Sequence, residues 1–448
     1  VQAGYGTWMR HLGSGCKVRG CSGHDGPLLY LATHARTGSV GMVSSLFLSR
    51  DSKKNIPQLF FGVANQCSQI PPTISDGRLI SLDAFRGFIM FWIVGGEALA
   101  RALAKLDGVQ SEMLNTALVQ LEHVSWEGFR FYDLIFPSFI FIVGASVAFS
   151  LGKLQASGSR RAAVRRVICR GLLLWVVGII YYGGISNGLY DPEANKGVRL
   201  LGVLQRIGIC YLVTGLLFIY FPIRGLVTVF LVLIGGYWAL LSFVAAPGQE
   251  TVSYEAGRNI TNWFDSEYLP FAKWSGSYDP EGILSTFPAI ATCLLGVFAG
   301  LLLKNEGPSQ GRKVLLLFGV GVTFVLCGYC WSASHPVIKC LWTSSFVILA
   351  GGWSLILLAF FYSLIDVIQI KKWAMPFVWI GMNPIAIYLL SSVLDFNHVA
   401  KRVLGGAVGD WAKGILPGLD SLLVSVGGMF LIFWLCQTLY KRKVFFRI

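Results

Sequence analysis

Between residues 121 and 146 the sequence LEHVSWEGFRFYDLIFPSFIFIVGAS sets His123 and a Trp126-Glu127 pair just ahead of a long apolar run, with Asp133 inside its mouth. Ionisable groups beside lipid are costly and point to a partner or a task. An imidazole is largely unprotonated near neutral pH, so His123 can take a proton from an attacking amine or hydroxyl. It can also attack a thioester and carry the acyl group briefly. Asp133 or Glu97 would orient the ring and stabilise its cationic form. Arg206, in GVLQRIG, would balance such carboxylates or bind an anionic substrate, and Trp126 adds an indole beside the same point. The chemistry indicated is that of a membrane-embedded acyltransferase.

The elements that must hold these groups are apolar. Of 448 residues, 54% are hydrophobic and 13% charged, against about 25% charged in a soluble domain, so the excess apolar surface has to be hidden in lipid. Apolar segments lie at roughly 80–104, 129–151, 167–185, 200–220, 225–244, 283–303, 314–331, 341–365, 374–393 and 421–440. Each is near the length a bilayer requires, which predicts an all-α polytopic membrane protein with about ten transmembrane helices. One alternating set of connections, 152–166, 221–224, 304–313, 366–373 and 441–448, holds 15 Lys and Arg in 45 positions. The other set holds 9 in 111. That asymmetry places the first set and both termini in the cytoplasm. The net charge of +14 is then a topology signal. No basic stretch is interleaved with aromatics on a polar face, so nucleic acid is excluded as a partner.

A rise of 1.5 Å per residue converts position into depth. Glu97 lies about 25 Å from the inner start of the first segment, near the outer surface. From the outside, Asp133 is about 6 Å and Arg206 about 9 Å into their segments, with His123 just above the mouth. Four ionisable groups therefore share a depth on the outer side. Blander readings stand beside this one: an Asp133–Arg206 ion pair tying helices together, Glu97 as a solvated helix end, and His123 as an inert loop residue. On the inner side Asp83 and Arg86, in LDAFRG, form an i, i+3 pair. With the basic stretch 152–166 nearby, they could meet a phosphorylated cofactor. Asn383 precedes Pro384 inside the ninth segment, a break that is tolerated at depth where it faces protein or a cavity.

Residues 1–77 are of a different kind, rich in Gly, Ser and polar side chains without a sustained period. They read as a poorly structured or extraneous leader ahead of a multi-pass domain at 78–448. His11, His24 and His34 lie there, with CKVRGCSGH, but a fourth ligand at sensible spacing for zinc is missing, so no metal is expected. Most of the ten cysteines sit in apolar segments as small hydrophobes. A Cys330–Cys340 disulfide across a short outer loop is one alternative. The aromatics of the long outer connection 245–282 suit either a sugar platform or a membrane-interface belt.

The motifs RLISLDAFRG (78–87), HVSWEGFRFYDLIFPSFIFIVGAS (123–146), GVLQRIGICYL (202–212), YDPEGILSTFPAI (278–290), LWTSSFVILAGGW (341–353) and WIGMNPIAIYLL (379–390) occur in this order. Together they resemble the heparan-alpha-glucosaminide N-acetyltransferase family and its bacterial membrane acyltransferase-like relatives. The resemblance implies an enzyme that takes acetyl from cytoplasmic acetyl-CoA and passes it to a glucosamine amine across the membrane. The family's active-site histidine precedes Ser-Trp in the same context and carries over to His123. The lysosomal enzyme of that family has an active-site asparagine late in its first segment, where a gapless run from RLISLDAFRG places Glu97. An ionised carboxylate accepts hydrogen bonds but cannot donate one as an amide can. The acceptor expected is accordingly a cell-envelope amino sugar or other glycan at a bacterial inner membrane. A homodimer is compatible with the resemblance. The cofactor reading assigns Asp83, Arg86 and Asn383 to acetyl-CoA. The competing reading is a transporter or permease for a sugar or envelope precursor, which should carry charges near the bilayer midplane and broken helices in paired halves.

Overall fold

The computed structural model describes residues 79–106, 111–156, 158–184, 186, 188–191 and 195–446. The expected leader at 1–77, with its three histidines, lies outside the described residues. The chain forms an all-α polytopic bundle. Among the described residues, seven helices are long and apolar enough to cross a membrane, or eight if a bent pair counts as one span. They are α4 (Phe131–Ala156), α6 (Val203–Tyr220), α7 (Ile223–Phe243), α9 (Thr286–Lys304), α10 (Gln310–Ser332), α11 (Ser344–Tyr362, continued by a π turn to Val367) and α16 (Leu419–Lys441). The bent pair joins α12 (Met375–Gly381), after a short 3₁₀ turn, to α13 (Pro384–Val393) at 70°.

Two expected segments fall outside that count for visible reasons. In 80–104 the helix α1 (Ile80–Phe91) gives way to a π turn at Trp92–Gly96 before α2 (Glu97–Leu103). In 167–185 the helix α5 (Arg160–Tyr181) opens with Arg160, Arg161, Arg165 and Arg166, so only its second half is apolar. Shorter helices fill the connections: α3 (Glu112–Gln120), α8 (Ile260–Tyr268), α14 (Phe396–Leu404) and α15 (Ala407–Ile415). Strands β1 (Tyr190–Asp191) and β2 (Lys196–Gly197) pair as an antiparallel ribbon.

Helix α4 is apolar on all sides, the mark of a helix buried within a bundle, and with α9 it forms the centre. Their backbones cross closely enough that a Cβ on Gly144 would meet the Cys293 carbonyl, and one on Gly296 the Phe141 carbonyl. Small residues permit such approaches where lipid offers no hydrophobic drive between helices. By contrast α10 and α16 turn much of their surface outward, with Leu315, Leu326, Phe430 and Trp434 exposed to what would be lipid. Cys330 and Cys340 are both free thiols, which removes the suggested disulfide.

Candidate active site

The loop between α3 and α4 carries His123 and is fixed from two sides. At one end Asp133, in the first turn of α4, reaches back: its Oδ2 accepts from the backbone N–H of Arg130 (3.2 Å) and of Val124 (3.4 Å). At the other, Glu127 makes an antiparallel bridge with Ile338, and the Gly128 N–H donates to the Val337 carbonyl at 2.9 Å. Gly128 has φ +121°, a conformation that side chains rarely adopt, so the turn that releases the loop from this bridge needs glycine.

The result is a three-group cluster. His123 Nδ1 lies 2.7 Å from Asp133 Oδ1. Lys339, one residue beyond the bridge, places Nζ 3.0 Å from His123 Nδ1, 3.4 Å from Nε2 and 3.3 Å from Asp133 Oδ1. The Asp133 side chain is fully buried, whereas those of His123 and Lys339 are 26% and 20% exposed. A buried carboxylate at the base with two partly open nitrogen groups above it forms a site that a solute can reach. Carboxylate charge is also favoured at a helix N-terminus. Burial and then the Lys339 charge push the His123 imidazole below its ordinary value, against the opposing pull of Asp133 and Glu97. The ring is therefore neutral at neutral pH and able to accept a proton.

The other expected outer groups stand around this cluster at different distances. Glu97 pairs with Arg101 at 2.8 Å; Arg101 reaches Glu122 at 3.5 Å, and Glu122 reaches Arg130 at 3.8 Å. Glu97 thus acts on His123 only through space, at the far end of an ionic chain. Trp126 donates from Nε1 to the Tyr254 carbonyl at 2.8 Å and meets Tyr278 edge to face at 6.1 Å. Its indole thus packs against the 245–282 connection. Arg206 is fully buried and turned elsewhere: it donates to Ser285 Oγ and to the Gly282 carbonyl (3.3 Å), and its guanidinium lies 5.0 Å from the Trp342 ring centre. The carboxylate partner expected for it, Asp133, is held by His123 and Lys339 instead.

A second polar cluster beside Arg206 organises the 245–282 connection. Arg199 clasps Asp279 through Nε (2.8 Å) and Nη2 (2.6 Å) and adds Glu281 at 2.7 Å. Its guanidinium also lies 4.5 Å from the Tyr182 ring and 5.0 Å from that of Trp274. Nearby, the buried His335 is not a second base. Its Nε2 accepts from the Ser344 N–H at 3.2 Å, so Nδ1 carries the proton towards the Tyr254 hydroxyl at 2.9 Å. Burial lowers it to about 4, and its bonds fix Tyr254 under Trp126.

On the opposite side Arg86 donates to Asp83 (3.4 Å), to the Gly381 carbonyl (3.2 Å) and to Ser146 Oγ (2.6 Å). Asn383, at the 70° break, donates to the Val444 carbonyl at 3.0 Å and accepts from the Phe446 N–H at 2.8 Å. The three expected donor-side residues therefore surround one helix break, with Asp83 and Asn383 buried. Ser146 is thirteen residues from Asp133 on α4, about 20 Å along the helix. Among the described residues no cluster of three or more His, Cys, Asp or Glu is arranged to hold a metal ion.

A family model described as heparan-alpha-glucosaminide N-acetyltransferase, catalytic, matches residues 78–328, more than half of the chain. Heparan-alpha-glucosaminide N-acetyltransferase of Mus musculus is 26% identical over 380 residues, covering 73% of this chain and 56% of its own length. The Homo sapiens protein of the same name is 26% identical over 437 residues, covering 85% and 61%. An undecaprenyl-diphosphatase of Thermus thermophilus is 26% identical over 191 residues, covering 42% and 66%. The chain thus spans less than two thirds of the length of the two acetyltransferases. Glu97, His123, Trp126, Asp133 and Arg206 lie within the matched span; Lys339 and Asn383 lie beyond it. The chain belongs to the heparan-alpha-glucosaminide N-acetyltransferase family.

Proposed function

We propose that this protein is a transmembrane N-acetyltransferase that moves acetyl from cytoplasmic acetyl-CoA to the amine of an amino sugar or glycan on the outer side of a bacterial inner membrane. The observation that carries this reading is the short His123–Asp133 contact at the open end of the bundle, inside the span matched by the family model. With Nδ1–H bonded to the carboxylate, Nε2 is the ring's remaining acceptor and takes the amine proton as nitrogen attacks. Asp133 holds the ring in that tautomer and stabilises the imidazolium that forms, the same division of labour as in a Ser-His-Asp triad. The donor supplies a thioester whose C–S bond breaks as the N–C bond forms, and the proton held on His123 then passes to the departing sulfur. Trp126 and Tyr278 wall the acceptor approach, where stacking on a sugar ring suits an aromatic face. Arg206 positions the 282–285 segment at that wall. Glu97 supports the base through its field.

The donor side fits a phosphorylated group in charge. A cleft of about 490 Å³ where α5 begins and α6 ends is lined by Arg160, Arg161, Arg165 and Tyr220. Asp83, Arg86 and Asn383 shape the helix break near that end, and their polar atoms are spent largely on protein. In this account both termini and this cleft face the cytoplasm, in keeping with the distribution of Lys and Arg.

The sided reaction is testable in proteoliposomes with labelled acetyl-CoA on one face and glucosamine on the other. Labelled N-acetylglucosamine should accumulate on the acceptor side when the donor faces the α5–α6 cleft. Product formation only when donor and acceptor share one face would refute the sidedness, and its absence in every arrangement would refute the activity.

A further inference from the structure

Lys339 has no counterpart in the expected set of site residues, yet it is the cation nearest His123. We propose that Lys339 is a positioning residue for the base: its ammonium shares the Asp133 carboxylate with His123 and thereby keeps the imidazole neutral between turnovers. The inference rests on the reading of His123 as base.

The proton count of the three groups limits how they can bond. An ammonium has three donors and no acceptor, and a neutral imidazole has one of each. Nζ lies 3.0 Å from Nδ1 while Asp133 Oδ1 lies 2.7 Å from that nitrogen and 3.3 Å from Nζ. Two protons cannot point at each other, so the arrangement closes when both Nδ1–H and Nζ–H donate to Oδ1. That leaves Nε2 as the ring's one acceptor, with Nζ 3.4 Å away. The two charges then cancel, one carboxylate against one ammonium, beside a neutral ring.

A proton added to Nε2 would leave two cations within 3.4 Å sharing one fully buried carboxylate. Like charges at that distance disfavour the second ionisation. Without Lys339 the carboxylate would be left to the imidazole alone, and an Asp–His pair favours the cation. The balance would then move towards the imidazolium, against the burial that still opposes it.

Of the remaining charges around the ring, Glu97 pulls towards the cation, more weakly than Lys339 pushes against it. Glu97 faces the ring from α2, while Glu122 and Arg130 lie on its own loop, with Arg130 Nη1 donating to the His123 carbonyl at 3.4 Å. Together with Arg101 they form a chain of two acids and two bases that neutralises itself. Tyr132 adds a ring 4.8 Å from the imidazole. Control of the ring therefore falls to Asp133 from α4 and Lys339 from the 333–343 connection. The backbone holds Lys339 in place, since Ile338 is buried, bridges Glu127, and donates its N–H to Thr343 Oγ1 at 3.1 Å.

The test compares the wild-type chain with Lys339→Met and Lys339→Arg. Diethyl pyrocarbonate acylates an imidazole only in its neutral form, so its rate at His123, read by peptide mass spectrometry across pH 4 to 9, reports the ring's protonation without any turnover. Lys339→Met should raise the midpoint by about 1–2 pH units, the size expected when a neighbouring like charge is removed. The acidic limb of kcat/KM for acetyl transfer should move by the same amount. Lys339→Arg should stay near wild type in both. An unchanged midpoint in Lys339→Met that elutes as a single species would overturn the proposal, as would Lys339→Arg shifting as far as Lys339→Met. Should Lys339→Met fail to fold, Lys339→Gln carries the same expectation. A midpoint shift in Lys339→Met alongside wild-type protein that transfers no acetyl would refute the role of His123 as base, separately from the coupling to Lys339.

Discussion

Replacing Asp133 with asparagine removes one charge and two lone-pair sites from a fully buried position. In the native chain Oδ1 receives His123 and Lys339, while Oδ2 receives the backbone N–H of Arg130 and Val124. An amide has one oxygen for these four donors. If that oxygen keeps the imidazole, the new NH₂ faces two backbone N–H groups, and leaving such donors unmet costs about 1–3 kcal/mol. Lys339 also loses its counter-ion. Removing one partner of a buried pair costs about 3–5 kcal/mol, reduced here because Lys339 is partly exposed. A stability loss of roughly 3–5 kcal/mol is therefore expected for D133N, still small enough for folded protein to be recovered. The kinetic effect should be larger. An imidazolium without its carboxylate is a poor product of proton transfer, so kcat should fall by about 10²–10⁴-fold, the full range of general-base catalysis. The acceptor KM should stay within a few-fold, because Asp133 lies beneath the ring and not on its open side. Thermal unfolding in detergent and steady-state transfer of labelled acetyl give the two numbers. A D133N protein that unfolds at a lower temperature yet keeps kcat within about threefold would show that the carboxylate is only structural.

Three further outcomes follow from the same geometry. Trp126→Phe loses the bond to the Tyr254 carbonyl. One neutral hydrogen bond is worth about 0.5–1.5 kcal/mol, so the acceptor KM should rise roughly 2- to 10-fold with kcat little changed; a kcat effect alone would contradict the wall assignment. Asp265 is buried, which pushes its carboxyl up to about 6. Because its folded value lies above the unfolded one, the stability it contributes is full below about pH 4 and lost as pH rises through about 6. Asp265→Asn should flatten the fall of the unfolding temperature between pH 4.5 and 7.5, and an unchanged slope would refute the assignment. Gly296→Leu forces a side chain into the Phe141 carbonyl at the α4–α9 crossing. It should cost at least the upper end of about 1–3 kcal/mol and sharply reduce the monodisperse fraction on size exclusion; wild-type recovery would show that the helices can separate.

What the sequence disclosed and what it withheld divide along physical lines. His123 and Asp133 are ten residues apart across one loop, so a turn into a helix was enough to bring them together. Lys339 is 216 residues from His123 and arrives through an antiparallel bridge. The one available signal was a single basic residue in a short outer connection otherwise poor in them. Arg206 illustrates a different limit. Helical rise gives height in the bilayer but not direction around the bundle, so a shared depth did not imply contact with Asp133. The Arg199 clasp on Asp279 and Glu281 joins two connections whose polar residues had no periodicity to follow. The apolar segments were legible because length and composition determine them, whereas the π turn at Trp92–Gly96 depends on how α1 and α2 pack.

Whether His123 accepts the amine proton is decided by one comparison. Wild-type protein and His123→Ala, each shown to be folded and to bind acetyl-CoA, are given labelled acetyl-CoA and glucosamine at saturating concentration. The account predicts N-acetylglucosamine from the wild type and a rate lower by at least about 10²-fold from His123→Ala. Transfer by His123→Ala at close to the wild-type rate would contradict it.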